Sequence, residues 1–302
     1  MRASTAPGAT PHEVRAAWLL LSPGLAAITI LFLVPIAAAF LLSLTDFDIY
    51  ALGDLGNVRF IGLKNYATLL RDPLLWKAMR NTALFLFVGG PLTIGAALAA
   101  ALLLNTRVTR LKGLFRTIFF APYVTTLVAV AVVFRYLYHP RFGLIARFLD
   151  AVGLAPIDWL GDPRWAMPAI ILLAVWKNFG YATILFVAGL QNIPESLYEA
   201  ARIDGAGAWQ LFRKITLPLL SPTFLFLGVM TTIGYFQFFA EPYVMTDGGK
   251  PLNSTLSVGL LMYKNGFRWW SMGYAASIAF VLFVVVLALT AVQFWIQKRQ
   301  EA

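Results

Sequence analysis

The residues best suited to specific chemistry lie in a short polar segment between two long apolar stretches of the chain. Glu199, Ala200 and Ala201 are followed by Asp204 and Gly205. Acidic side chains favour the start of a helix, alanines permit close approach of another surface, and glycine can end or bend a helix. A membrane chain has no local need for such a segment between two spans. This combination therefore predicts non-covalent binding of a partner outside the membrane.

Six apolar stretches predict the elements that must position this segment. Each stretch is free of Asp, Glu, Lys and Arg over most of its length, and a helix needs about 20 apolar residues to cross the hydrocarbon core. The runs are continuous rather than alternating, which indicates helices and not barrel strands. The predicted transmembrane helices cover residues 17–43, 82–104, 117–138, 166–190, 216–239 and 274–296.

The composition supports a membrane protein. Of the 302 residues, 60% are hydrophobic and 13% are charged, whereas soluble domains carry about 25% charged residues. The net charge of +10 is interpreted as basic residues that flank spans beside anionic lipid, rather than as a nucleic-acid surface. The expected organisation is a tail at 1–16 (without fixed structure over 1–14), a first span at 17–45, a loop at 46–80, a domain at 81–297 that contains a polar loop at 191–215, and a tail at 298–302.

Several kinds of chemistry are not expected from this chain. It has no G-x-x-x-x-G-K-[S/T] phosphate-binding motif, so ATP hydrolysis must come from another polypeptide. Two histidines and no cysteine cannot supply a His- or Cys-based metal site. No nucleophile elbow or pair of carboxylates indicates catalysis. We therefore expect a non-catalytic chain without a bound cofactor or metal.

The polar segment resembles the signature loop of ABC-importer permeases. Glu199-Ala200-Ala201, Gly205 and Ile215-Thr216-Leu217-Pro218 have the spacing found in that family. Residues from about 60 to 297 resemble its carbohydrate-uptake branch, which includes maltose, multiple-sugar and glycerol-phosphate permeases. This wider similarity rests on the segments 60–66, 81–82, 189–194 and 241–255.

The resemblance implies an all-α integral membrane protein with six transmembrane helices, in the type I (MetI-like) importer fold with a cytoplasmic coupling helix. It implies a second homologous permease, a dimer of ATPase subunits that use ATP and Mg, and an extracytoplasmic sugar-binding protein. The chain would import a mono- or oligosaccharide by alternating access. Its place would be the cytoplasmic (inner) membrane of a bacterium or archaeon, in contact with lipid and not with nucleic acid.

Basic residues near the ends of the spans predict the orientation, because such residues favour the cytoplasmic side. Loop 105–116 is short and has no acidic residue, and two further basic residues follow the last span. Both termini and the Glu199 segment are therefore predicted to face the cytoplasm. The residues behind this prediction are Arg107, Arg110, Lys112, Arg116, Lys298 and Arg299.

In the family, the signature loop docks into the ATPase subunits. By resemblance, Glu199 and Asp204 are expected to anchor the loop electrostatically, the two alanines to seat it, and Gly205 to shape its turn. The expected ATPase-coupling residues are Glu199, Ala200, Ala201, Asp204, Gly205 and Pro218.

Side chains at mid-membrane depth are expected to line the substrate pathway. Sugars bind through aromatic rings against their apolar faces and through polar groups that satisfy hydroxyls. For each candidate, ordinary helix packing is the alternative. The expected pathway residues are Tyr123, Lys177, Asn178, Tyr235, Gln237, Phe238 and Glu241.

Lys177 lies near the middle of the fourth predicted span, where a lysine costs roughly 2.5 kcal/mol or more. It is interpreted either as a donor to sugar hydroxyls or part of a gate, or as a structural residue that pairs with Glu241 or snorkels to an interface. Arg135, near the outer end of the third span, is explained by snorkelling.

Two alternative functions stay open at this point. The same architecture could import glycerol 3-phosphate or a polyol derivative, and a phosphate would favour basic residues in the cavity. A remote alternative is an ATP-independent secondary transporter. That class needs intramembrane acids or an inverted repeat, and the sequence offers only Glu241 near the membrane and no evident repeat.

Overall fold

The computed structural model describes residues 11–106 and 111–301. In this part of the chain the only β-structure is an isolated bridge between Thr45 and Phe60. The helices are α1 (Pro11–Ile28, a π-helical turn Thr29–Leu33, and Val34–Ser43), α2 (Lys64–Arg71), α3 (Pro73–Leu84, a π-helical turn Phe85–Gly89, and Gly90–Asn105), α4 (Lys112–Val124), α5 (Leu127–Leu137), α6 (Leu144–Ala151), α7 (Pro163–Gln191), α8 (Glu195–Ile203), α9 (Ala208–Leu211), α10 (Ser221–Phe236), α11 (Ala240–Met245), α12 (Val258–Tyr263) and α13 (Met272–Glu301). Shorter helical turns lie at Ile49–Leu52, Leu55–Asn57, Phe212–Thr216, Leu217–Leu219 and Lys264–Arg268.

Five of the described helices are long and apolar enough to cross a membrane. They correspond to the first, second, fourth, fifth and sixth predicted spans. The fifth begins later than predicted, at Ser221 instead of residue 216, because the turns Phe212–Thr216 and Leu217–Leu219 still belong to the polar loop. The five segments are Val14–Ser43, Pro73–Asn105, Pro163–Gln191, Ser221–Met245 and Met272–Arg299.

The third predicted span is not one straight helix. Helices α4 and α5 meet at an angle of 97°, so the described chain has six spans if this bent pair counts as one. Thr125 and Thr126 between them adopt extended backbone conformations, with ψ of 149° and 133°. A continuous helix over 117–138 was therefore wrong at this point, where two β-branched residues follow a helical proline, Pro122, which removes one helix donor.

The N-terminal tail is also shorter than predicted. Residues 1–10 lie outside the described part of the chain, and a helix already begins at Pro11. Helix α1 lies at the periphery, because none of its most apolar window is buried. It packs against α13, where the rings of Phe40 and Phe280 lie 5.2 Å apart.

Helix α7 lies at the centre of the molecule. Its most apolar window is 56% buried, and two apolar clusters pack around its two halves. The cluster at its C-terminal half includes Ala97 and Ala101 of α3, Phe186 of α7 and Leu220 and Leu227 near and in α10. Small residues on α3 let the two helix backbones approach closely, as is usual in membrane bundles. This packing fixes the helices that flank the polar loop.

Candidate functional site

The polar segment forms α8, which projects from the C-terminal end of α7. None of the α8 residues is buried, and Ile203 is 86% exposed. The side chains of Glu199 and Asp204 make no hydrogen bond or ion pair with any residue that the structure describes. Their carboxylates are therefore free to bind a partner surface.

Gly205 closes α8 in a left-handed conformation, with φ of +80°. The Gly205 amide donates to the Arg202 carbonyl at 3.0 Å, and the Ala206 amide donates to the Ala201 carbonyl at 2.9 Å. This pair of hydrogen bonds is a Schellman motif, which satisfies carbonyls at the helix end and favours glycine at the left-handed position. The chain then reverses into α9, which begins after Gly207.

Gly205→Ala is expected to loosen the end of α8. A Cβ at this position would meet nothing within 4 Å, so the cost is only that of the left-handed backbone, about 1 kcal/mol. Amide hydrogen exchange in residues 195–206 should become about fivefold faster. Gly207→Ala is the matched control, because Gly207 also has open space but a φ of −74°. Equal exchange rates in the two variants would contradict the strain argument.

The polar loop is attached to the membrane helices by a contact that the sequence did not single out. The Tyr198 hydroxyl lies 3.0 Å from Thr216 Oγ1, and Thr216 is buried. Pro218 is exposed in the turn Leu217–Leu219, just before α10. A tyrosine on an amphipathic helix is an ordinary interfacial residue, so its type gave no signal for this contact.

A cavity of about 290 Å³ lies between α4, α7 and α10. Five of the seven predicted pathway residues line it, and they come from four different helices. These are Tyr123, Lys177, Asn178, Tyr235 and Glu241. Further polar and aromatic side chains in the wall are Thr93, Tyr181 and Thr231.

Aromatic and hydroxyl groups shape the cavity wall. The rings of Tyr123 and Tyr181 stack at 4.6 Å with an interplanar angle of 12°. The Tyr235 hydroxyl lies 2.7 Å from Thr93 Oγ1, and that threonine hydroxyl also donates to the Gly89 carbonyl at 2.8 Å. The wall thus offers flat apolar rings beside hydroxyl and amide groups.

The structure does not bring Gln237 and Phe238 into this cavity. Phe238 is 4% exposed, and its ring stacks on Phe85 at 4.0 Å. Gln237 lines a separate cavity beside Phe239 and α12. The physical reason is that α10 ends at Phe236, so the helical spacing that links Tyr235 with later residues no longer sets their direction.

Lys177 is 7% exposed and donates hydrogen bonds to three backbone carbonyls. The distances from Nζ are 3.0 Å to Pro122, 3.1 Å to Tyr123 and 2.7 Å to Thr125. No ion pair with Glu241 is present among the described residues, and the side chain does not extend to an interface. The two structural explanations considered from the sequence are therefore replaced by a third, hydrogen bonding to backbone.

Arg135 also differs from its sequence interpretation. It pairs with Asp247 through two hydrogen bonds, at 2.9 and 3.1 Å, and donates to the Val244 carbonyl at 3.2 Å. The side chains are 48% and 55% exposed, so the pair itself contributes at most about 1 kcal/mol. Its effect is to connect α5 to the loop that follows α11.

Comparison with known proteins identifies the family. A family model described as "Binding-protein-dependent transport system inner membrane component" matches residues 89–302. The chain belongs to this family. A lactose transport system permease protein of Rhizobium radiobacter is 38% identical over 288 residues, which cover 94% of each chain. A trehalose/maltose transport system permease protein of Thermococcus litoralis is 34% identical over 281 residues, 93% of each chain.

Solved structures confirm the predicted fold of this permease. One chain of a bacterial alginate ABC transporter, in complex with an alginate pentasaccharide-bound periplasmic protein, aligns with a TM-score of 0.80 and 22% identity. The alignment covers 95% of the permease and 96% of that chain. A chain of the inward-facing MetNI methionine ABC transporter aligns with a TM-score of 0.51 and 18% identity, over 76% of the permease and 98% of that chain. The all-α, MetI-like importer fold is thus established.

Family membership also settles the class of activity. The permease is a transport component of the inner membrane and not an enzyme, and ATP use belongs to a partner ATPase. It works with a partner permease, an ATPase and a substrate-binding protein. Within the described residues, no group of three or more His, Cys, Asp and Glu side chains is placed to hold a metal ion.

Proposed function

We propose that this permease imports a mono- or oligosaccharide by alternating access. The observation that carries the proposal is that α7 and α10 have two roles. They flank the Glu199 loop, and they also supply most of the cavity wall. A movement of α8 would therefore pass directly to the cavity, since packed membrane helices move as nearly rigid bodies.

The cavity chemistry favours a neutral sugar over a phosphorylated solute. All three ammonium donors of Lys177 are already used by backbone carbonyls, and Glu241 places an acidic side chain in the same wall. An anion would find no free cation among the described lining residues. The relatives with established names transport lactose, arabinooligosaccharides and trehalose or maltose, which supports a sugar cargo. Glycerol 3-phosphate is the less favoured alternative.

The proposed orientation places both termini and the Glu199 loop in the cytoplasm. Lys112 and Arg116 support it through their position at the start of α4, whereas Arg107 and Arg110 lie outside the described residues. A dimer of ATPase subunits would hold α8, with Glu199 and Asp204 as electrostatic anchors and Ala200 and Ala201 as the close-packed face. A second, homologous permease would complete the cavity, and an extracytoplasmic sugar-binding protein would deliver the cargo from the opposite side.

Purification of the tagged permease from gently solubilised membranes would test this function. We expect it to recover a second six-span permease and an ATPase. Reconstituted with ATP and the binding protein, the complex should accumulate radiolabelled lactose, maltose or an arabinooligosaccharide, and not glycerol 3-phosphate. Recovery of the chain alone, with solute uptake that needs no ATP, would contradict the importer assignment.

Tyr123→Ala is expected to lower sugar uptake about tenfold, because a ring that stacks against an apolar sugar face contributes on the order of 1 kcal/mol. Initial uptake rates, normalised to permease in the membrane, would measure the effect. Tyr136→Ala is the control, since Tyr136 lies outside the cavity and is 64% exposed. Equal rates for the two variants would remove Tyr123 from the pathway.

A further inference from the structure

The break in the third span leaves part of its backbone without helical hydrogen bonds. Helix α4 ends at Val124 and α5 begins at Leu127, so the last carbonyls of α4 have no following turn to bind. Backbone that is not helical is tolerated at membrane depth only where protein groups or a water-filled cavity satisfy it. The break therefore requires a donor from elsewhere in the fold.

Lys177 supplies that donor from the midpoint of α7. Its ammonium group has three N–H donors, and these match the three carbonyls of Pro122, Tyr123 and Thr125. A positive charge at the C-terminal end of a helix is also favoured by the helix dipole. Glu241 is the acidic residue of the same cavity. Every donor of Lys177 is engaged with backbone, and none is left for a cargo hydroxyl.

The same face of α7 holds the end of α4 by two further contacts. Gly180, one turn after Lys177, lies against the Phe119 carbonyl, where any Cβ would overlap the backbone. Tyr181 stacks on Tyr123, whose own carbonyl accepts from Lys177. One short stretch of α7 thus fixes both the backbone and the ring of Tyr123 in the cavity wall.

The two halves of the broken span are held by different parts of the molecule. Helix α4 is held by α7 through these contacts. Helix α5 is held by the loop after α11, through the hydrogen bonds of Arg135 to Asp247 and to the Val244 carbonyl. Lys177 lies at the joint between them, so it sets the angle at which the halves meet.

We propose that Lys177 is a positioning residue, which fixes the angle of the broken third span and holds Tyr123 in the cavity wall, and that it does not bind cargo. The role in transport rests on the proposed function, since it requires that this cavity is the pathway. The positioning itself rests only on the contacts described above.

Distances between spin labels on the two halves of the span would test the proposal. The chain has no cysteine, so labels can be placed at Ile118→Cys in α4 and Val133→Cys in α5, both of which are exposed. The full chain in lipid nanodiscs, without cargo, should give one narrow distance peak. Lys177→Met should lose that peak, whereas Lys177→Arg, which keeps the charge and donors, should retain it.

A second label pair separates a local effect from unfolding. Leu172→Cys in α7 and Phe283→Cys in α13 are also exposed, and their distance should be unchanged in Lys177→Met. A narrow α4–α5 peak that survives in Lys177→Met while uptake is lost would assign Lys177 to cargo binding and overturn the proposal. Equal loss of the peak in Lys177→Arg would also overturn it. Because no cargo is present, an error in the proposed sugar leaves this result unaffected.

Discussion

Glu199→Lys is expected to abolish ATP-driven uptake while the permease stays in the membrane at normal levels. Glu199 is exposed on α8 and has no internal partner among the described residues, so the substitution removes no contact that stabilises the fold. At a docked interface, however, reversal of a paired charge costs about 3 kcal/mol, or about a hundredfold in affinity. The ATPase should then bind weakly or hydrolyse ATP without transport.

Uptake and ATPase activity of reconstituted complexes would measure this uncoupling. Asp150→Lys is the matched control, because Asp150 is an exposed acid on α6, near the start of α7 and away from the Glu199 loop. It introduces the same charge change and should leave uptake and ATPase activity near their normal values. Normal uptake in Glu199→Lys would show that this carboxylate does not couple the two subunits.

Gly180→Ala is expected to destabilise the permease by about 3 kcal/mol, at the upper end of the usual cost of overpacking. Gly180 is buried where α4 crosses α7, and an added Cβ would overlap the carbonyl group of Phe119. Backbone cannot move aside as a flexible side chain can. The end of α4 must therefore shift away from α7, and the contacts of Lys177 and Tyr181 with that helix should weaken together.

Thermal denaturation of the purified permease, followed by loss of its monodisperse chromatographic peak, would measure this effect. Gly95→Ala in α3 is the matched control, because Gly95 is also a glycine within a span and a Cβ there meets nothing within 4 Å. Alanine is the better helix former, so this control should be unchanged or slightly stabilised. Equal midpoints for the two variants would contradict the close approach of α4 and α7.

The features that could be predicted from the sequence are those set by local composition. Charge-free runs long enough to cross a bilayer located five of the spans, because the cost of burying charge in lipid acts on each segment separately. The α8 helix and its end at Gly205 followed from helix-start residues and from the conformational freedom of glycine. Motif spacing indicated the family before any coordinates were considered.

The features that could not be predicted depend on contacts between distant segments. The three carbonyls bound by Lys177 lie 52 to 55 positions away along the chain, and no local pattern records that pairing. The burial of Phe238 against Phe85 depends on where α10 ends, and helical spacing from Tyr235 could not show that end. The break at Thr125 looked continuous because both of its sides are equally apolar.

The π-helical turn Phe85–Gly89 in α3 has a consequence for sequence change in this family. A π turn holds one residue more than an α-helical turn, so it is equivalent to a single-residue insertion. Deletion of one residue here would restore a regular helix, but it would rotate everything that follows by about 100°. Thr93, Ala97 and Ala101 would then leave the faces that meet Tyr235 and α7. Substitutions in this stretch can therefore accumulate, whereas a one-residue deletion would need a compensating insertion before Thr93.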